Sequence, residues 1–289
     1  MAGRRADSGW IVSGADPINW LSLTLRPLGV ACSTSLSFPK GAMMPKVLQH
    51  SGHVLSQLGQ EVAQAWSLLI EQYRNDRRLR IFARELVSAN LLLIFLPAAV
   101  IWAGGAGLIA VPDTDFLHPG RDGSLPEMFN YAQTGLTAAF LFLAWRSGES
   151  LACLAWAALF VFVLLDDSLQ YHEHMGEWLA RVLALTDRDG LRAVDFGELL
   201  AWVLAAAVLL PLVAVSALRT AGRERGFAIL IGAVFSALVF FGLAVDMLHQ
   251  FTGLRALTLL EDGGEMLSIA AACILSFGWY RLGRANPGR

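Results

Sequence analysis

The chain has 289 residues, of which 55% are hydrophobic and 16% are charged, and its mean hydropathy is +0.52. Soluble domains average about 45–50% apolar and about 25% charged residues, so this composition excludes an ordinary soluble domain. The formal net charge of −2 offers no electrostatic basis for binding nucleic acid, which we exclude as a partner.

The N-terminal part divides into two segments. Residues 1–47 show no sustained helical or strand period and are predicted to be weakly structured. Residues 48–84 are predicted to form an amphipathic helix, because apolar residues from Val54 to Leu69 recur at steps of three and four and a run of arginines follows. This pattern favours a cytoplasmic helix that lies on an anionic membrane surface. Packing against another subunit or against loops of the same chain is the alternative.

Residues 85–289 are predicted to form an all-α, polytopic membrane helix bundle. A transmembrane helix needs about 20 mostly apolar residues to cross the ~30 Å hydrocarbon layer. Six segments come close to this requirement, so we expect about six transmembrane helices in contact with membrane lipids. They lie at 86–110, 128–145, 150–170, 197–218, 226–249 and 259–280.

The basic residues are distributed unequally between the two sets of loops. If the chain crosses the membrane six times, 17 of its 22 lysines and arginines lie on the side of the two termini. Cytoplasmic loops of membrane proteins carry the excess of Lys and Arg. We therefore expect a multi-pass protein of the bacterial inner membrane with both termini in the cytoplasm.

Acidic and histidine side chains concentrate where four of the predicted helices reach the outer face. At ~1.5 Å per residue, three of these clusters lie about 24–32 Å from the cytoplasmic side, near the outer boundary of the hydrocarbon. Ionisable groups at this depth normally face the interior of a bundle, because their exposure to lipid is costly. The candidate site residues are Asp166, His172, Glu173, Glu198, Asp246, His249, Glu261 and Glu265.

Helical phase predicts which of these side chains share a face. In a regular third helix, Asp166, Gln170 and Glu173 lie on one face. His172 then points away from Asp166, and its participation requires that the helix end or unwind near Tyr171. The pairs on the fifth and sixth helices, three and four residues apart, each share a face.

Carboxylates this close together cannot all stay ionised in a low dielectric without a cation or shared protons. A metal pair is one solution, because carboxylates and a Glu-x-x-His pattern on facing helices hold di-iron and di-manganese centres. The mixture of oxygen and imidazole ligands suits Fe, Mn or Zn better than copper(I). A relay of shared protons is a second solution. The third is solvated carboxylates that cap helix starts, as Glu198 in the first turn of its helix would.

Two short runs resemble a known pattern. One run, from Leu165 to Glu173, reads Leu-Asp-Asp, four residues, His-Glu, and the other, Leu260–Leu267, contains Glu-Asp-Gly-Gly-Glu-Met-Leu. They resemble a bacterial family of multipass membrane proteins with the signatures LD(E/D)-x4-HE and E(E/D)Gx-EML, over roughly the last 200 residues. Asp167 and Asp262 stand where the family pattern has Glu, which keeps the charge but shortens the reach. This family carries no established activity, so the resemblance supports a site and not a reaction.

Three classes of function fit these observations. The first is a metal-binding membrane protein, such as a di-metal oxidoreductase or hydrolase that acts on a membrane-soluble substrate reached laterally from the bilayer. The second is a proton- or cation-coupled transporter, which is disfavoured because the sequence has no recognisable inverted repeat and little charge at the bilayer midplane. The third is a non-catalytic subunit of a membrane complex, with Trp156 and Trp202 as lipid or partner contacts.

Overall fold

Long helices dominate the structure. The computed structural model describes residues 46–110, 116, 123–188 and 190–285, and every regular element among these residues is helical. Residues His50–Arg289 cluster as one unit. The elements are α1 (Lys46–Asn75), α2 (Arg77–Gly105), α3 (Leu125–Arg146), α4 (Leu151–Leu169), α5 (Tyr171–Val182), α6 (Ala193–Leu218), α7 (Arg223–Val239), a π-helical segment (Phe240–Val245), α8 (Asp246–Thr252) and α9 (Arg255–Ala285).

Five of the helical stretches are long and apolar enough to cross a membrane. Among the described residues, the prediction of an all-α protein with several helices able to cross a membrane is therefore confirmed, whereas the number six is not. The five stretches are Arg77–Gly105, Leu151–Leu169, Ala193–Leu218, Arg223–Thr252 and Leu257–Ala285.

Helix α3 corresponds to the predicted crossing at 128–145 but is not among the five. Its polar residues lower its hydropathy, and four of them are buried in the bundle: Asn130, Gln133, Thr134 and Thr137. Gln133 exchanges two hydrogen bonds with buried Asn90 of α2, at 2.8 and 3.1 Å. The side chains that distinguish α3 from the other long helices thus face protein and not the outer surface.

The N-terminal helices differ from the predicted segments. Residues 1–45 of the predicted weakly structured part lie outside the described residues. The helix predicted over 48–84 is interrupted at Asp76, whose carboxylate accepts hydrogen bonds from the backbone N–H groups of Arg78 and Leu79 and so caps α2. Helix α2 then runs without a break through the predicted boundary at 84/85. One face of α1, with Glu61 and Ala65, is buried in the described structure.

Ion pairs gather at one end of the bundle, which we call the basic end. Two of them join Glu61 to Arg225, with Nη2–Oε1 at 2.6 Å, and Glu149 to Arg223, with Nη2–Oε1 at 2.8 Å. The hydrogen bond from Arg225 lowers the pKa of Glu61, whereas burial raises the pKa of Glu149 despite its arginine. A further pair joins α2 to α9, with Asp76 Oδ2 and Arg281 Nε 2.7 Å apart.

Candidate metal centre in an acidic cavity

A cavity of about 540 Å³ lies at the end of the bundle opposite the basic end. Its volume falls within the ~300–1,000 Å³ typical of small-molecule sites. One arginine, Arg192, and one imidazole, that of His172, line it together with eight carboxylates, so its charge is strongly negative. The carboxylates belong to Glu127, Asp167, Glu173, Glu177, Glu198, Asp246, Glu261 and Glu265.

Three side chains in and beside this cavity come within metal-binding distance of one another. One potential ligand atom from each of Asp246, His249 and Glu261 lies within 4.8 Å of the other two. His249 Nδ1 is 3.6 Å from Glu261 Oε2, and the opposite ring nitrogen, Nε2, is 3.2 Å from the hydroxyl of Thr258. The ring therefore contacts Thr258 through Nε2 and faces Glu261 through Nδ1.

The π segment runs directly into α8, which carries Asp246 and His249. A π turn widens the helix and shifts the phase of the residues that follow, and such turns are frequent at functional sites. At Gly242 in this segment, an added Cβ would lie 2.1 Å from Glu265 Oε1. At Gly264 of α9, an added Cβ would lie 2.2 Å from the ring of Phe241. Both glycines thus permit a close approach that places Glu265 at the cavity wall.

The end of α4 positions His172. Gln170 adopts a left-handed conformation (φ 52°, ψ 40°) that ends α4 at Leu169 and starts α5 at Tyr171. Buried Asp166 then accepts two hydrogen bonds from His172, from the backbone N–H at 3.0 Å and from ring Nδ1 at 3.0 Å. Burial opposes the charged form of the imidazole, but the Asp166 hydrogen bond and charge outweigh it and raise the pKa of His172.

Helices α5 and α6 touch through their backbones. An added Cβ on Gly197 would lie 2.1 Å from the carbonyl oxygen of Gly176, so neither helix can carry a side chain at this crossing without moving. One turn away, Asp195 Oδ2 accepts a hydrogen bond from the backbone N–H of Arg192 at 2.8 Å and caps α6. The crossing places Glu198 on the cavity wall.

Helix α3 contributes a side of the cavity that the sequence reasoning missed. The hydroxyl of Tyr131 donates a hydrogen bond to Glu127 and lies 3.2 Å from the backbone carbonyl oxygen of Asp167. Asn130, which is 8% exposed, lines the same wall, and its Oδ1 accepts no hydrogen bond within the described part of the chain. The polar residues at the start of α3 were the available signal, because their spacing places them on one face of that helix.

Comparison with known proteins gives a family without an assigned activity. The domain of unknown function DUF8692 matches residues 91–279, which is more than half of the chain. The chain belongs to the DUF8692 family. The DUF8692 region begins within α2 and ends within α9, so it contains every residue of the acidic cavity and leaves α1 outside. No curated protein and no solved structure matches the chain.

The predicted site residues fall into three groups within the DUF8692 region. Asp246, His249 and Glu261 form the cluster of potential ligand atoms. His172, Glu173, Glu198 and Glu265 line the cavity but do not join that cluster among the described residues. Asp166 is 1% exposed and holds His172.

The expectation that Asp166, Gln170 and Glu173 share one helical face is wrong. The left-handed Gln170 breaks the helix between them, which is the condition under which His172 reaches Asp166.

Proposed function

We propose that this DUF8692 protein binds a divalent metal ion through Asp246, His249 and Glu261, at the end of the bundle that faces outward from the bacterial inner membrane. The observation that carries the proposal is the convergence of these three potential ligand atoms within 4.8 Å, from two helices joined by a sharp turn. The basic residues of the opposite end favour a cytoplasmic location for both termini.

The donor set fits a transition metal. Metal–oxygen and metal–nitrogen bonds of about 2.0–2.2 Å hold neighbouring ligand atoms about 3.0–3.5 Å apart, so the side chains must close by at most about 1–2 Å around an ion. Glu261 Oε2 and Asp262 Oδ2 are buried and accept no hydrogen bond within the described part of the chain. A cation beside Glu261 would compensate a charge that is otherwise costly to bury. Two carboxylates and one imidazole suit Fe, Mn or Zn.

Three protein ligands leave coordination positions for water or a substrate, as in catalytic metal sites. We propose on this ground a metal-dependent oxidoreductase or hydrolase acting on a membrane-soluble substrate. His172, held by Asp166 and carrying a raised pKa, is placed to donate a proton into the cavity. The further carboxylates, Glu173, Glu198 and Glu265, offer positions for a second ion.

The two sequence runs that resemble the multipass family support the proposed site. The Leu165–Glu173 run supplies Asp166 and His172, and the Leu260–Leu267 run supplies Glu261 and Glu265, so both runs converge on one cavity.

We propose α3 as a sixth transmembrane helix, because its polar side chains are buried within the bundle.

Paired variants test the metal site. His249→Ala and Glu261→Gln each remove one ligand, and His53→Ala and Glu71→Gln make the same changes at exposed positions of α1. We expect the first pair to lose bound metal, and to lose the fall in melting temperature that a chelator causes in the wild type. An ion at 100 times its Kd stabilises the folded state by about 2.7 kcal/mol. A chelator without effect on the wild type, or site variants that hold metal as the controls do, would contradict the proposal.

A further inference from the structure

An apolar groove adjoins the acidic cavity. It has a volume of about 150 Å³, its walls are entirely apolar, and it lies between α4, α6 and the α7–π junction. A water molecule occupies about 30 Å³ in the liquid, and apolar cavities tend to stay dry and to accept apolar molecules. The groove and the cavity share five wall residues, namely Val163, Trp202, Phe235, Val239 and Leu243. The two spaces therefore adjoin at these side chains.

Small side chains on α6 keep the groove open. Ala205 and Ala206 stand where larger residues would fill the space against α4. Two other wall residues, Val203 and Leu210, are 53% and 47% exposed, so the groove opens on the outer surface of α6. Because α6 is one of the five helices able to cross a membrane, that surface faces lipid, and an alkyl chain can enter from the bilayer.

The cavity at the end of the groove selects a head group by charge and hydrogen bonding. Its eight carboxylates face one arginine, Arg192, which is held by Asp195 with Nη2–Oδ1 at 2.6 Å. An anionic head group is repelled here and a cationic one is attracted. Buried Asn130 offers an oxygen that lacks a hydrogen-bond donor among the described residues, and an ammonium supplies donors. Trp202 lies at the junction, with its ring 5.9 Å from that of His172.

We propose that the site binds a single-chain amphiphile with a primary amine head, its alkyl chain in the groove between α4 and α6 and its ammonium group in the acidic cavity. This inference rests on the proposed function, since it names the class of substrate for the same site. The cavity carboxylates that hold no metal in this proposal, such as that of Asp167, remain to pair with the ammonium group.

Photolabelling in a bilayer tests the proposal. The full chain in phosphatidylcholine nanodiscs is labelled with hexadecylamine that carries a diazirine on its chain, and the labelled peptides are mapped by mass spectrometry. We expect labels within α4 and α6, competed at least tenfold better by hexadecylamine than by hexadecanoic acid. Ala206→Phe fills the groove and should reduce labelling about tenfold, and Ala205→Leu provides a second groove variant. Ala207→Phe places the same ring on the exposed neighbouring position and should leave labelling unchanged.

The outcomes separate this proposal from the metal proposal. Labelling that Ala206→Phe and Ala207→Phe affect equally, while both variants melt as the wild type does, would overturn the groove as the binding site. Equal competition by the acid would overturn the amine head. Metal content is measured on the same samples, and neither Ala206→Phe nor Ala207→Phe should change it. Wild-type protein that holds no metal as purified but is still labelled in the groove would overturn the metal proposal alone and support the amphiphile site.

Discussion

The crossing of α5 and α6 allows a quantitative prediction from one methyl group. In Gly197→Ala, the new Cβ lies 2.1 Å from the carbonyl oxygen and 2.8 Å from the carbonyl carbon of Gly176. Ordinary contacts begin at 3.4 Å, so the helices must separate by about 1.3 Å. A change of rotamer cannot relieve the contact, because the opposing atoms belong to the backbone. Overpacking of this kind lowers the free energy of unfolding by about 1–3 kcal/mol, and the higher helix propensity of Ala offsets about 0.8–1.0 kcal/mol of that loss.

Gly59→Ala is the matched control. Gly59 is an exposed helical glycine of α1 with no atom within 4 Å of an added Cβ, so its substitution should stabilise the helix by about 0.5–1 kcal/mol. Thermal unfolding in detergent, followed by circular dichroism, measures both variants. We expect Gly197→Ala to melt below the wild type, by about 2–4 °C per kcal/mol, and Gly59→Ala to melt at or above it. A Gly197→Ala protein as stable as Gly59→Ala would refute the close crossing.

Three further predictions follow from the ends of the helices. Because the pKa of Glu61 is lowered, its contribution to stability is present above the ordinary glutamate pKa and is lost as the pH falls through the lowered value. In Glu61→Gln, the melting temperature should therefore fall less steeply as the pH is lowered through this range. The pKa of His172 is shifted in the opposite direction, so its contribution to stability is complete at low pH and is lost as the pH rises through the raised value. His172→Gln should remove this loss of stability. A periplasm-active reporter should work after Gly120 and fail after Gly148 and at the C-terminus; the same result at both glycines would show that α3 does not cross the membrane.

The sequence is sufficient to predict the long helices and where their acidic residues meet. Continuous apolar runs carry that information, because a crossing needs about 20 such residues and its ends are marked by charge. Because such runs are judged by their mean hydropathy, the sequence leaves it open whether α3 crosses the membrane. Its asparagine, glutamine and threonines lower the mean hydropathy, and only the fold shows that Gln133 is paired with Asn90 inside the bundle.

Local departures from the α-helix were beyond prediction. Nothing in the composition around Gln170 marks a left-handed residue, which is uncommon outside glycine and asparagine, yet this residue decides that His172 reaches Asp166. The π segment likewise depends on how Gly242 and Glu265 pack between two helices, a tertiary effect without a sequence period. Sequence reasoning placed Glu265 among the ligands, and in the structure it lines the cavity without joining the cluster of Asp246, His249 and Glu261 among the described residues.

X-ray absorption on protein purified without chelator tests the central claim most directly, because it reports both the metal and its ligands. We expect a stoichiometric first-row metal bound by one imidazole nitrogen and at least two oxygens at about 2.0–2.2 Å, with the imidazole signal lost in His249→Ala. Wild-type protein without stoichiometric metal, or a metal whose imidazole signal survives His249→Ala, would contradict it.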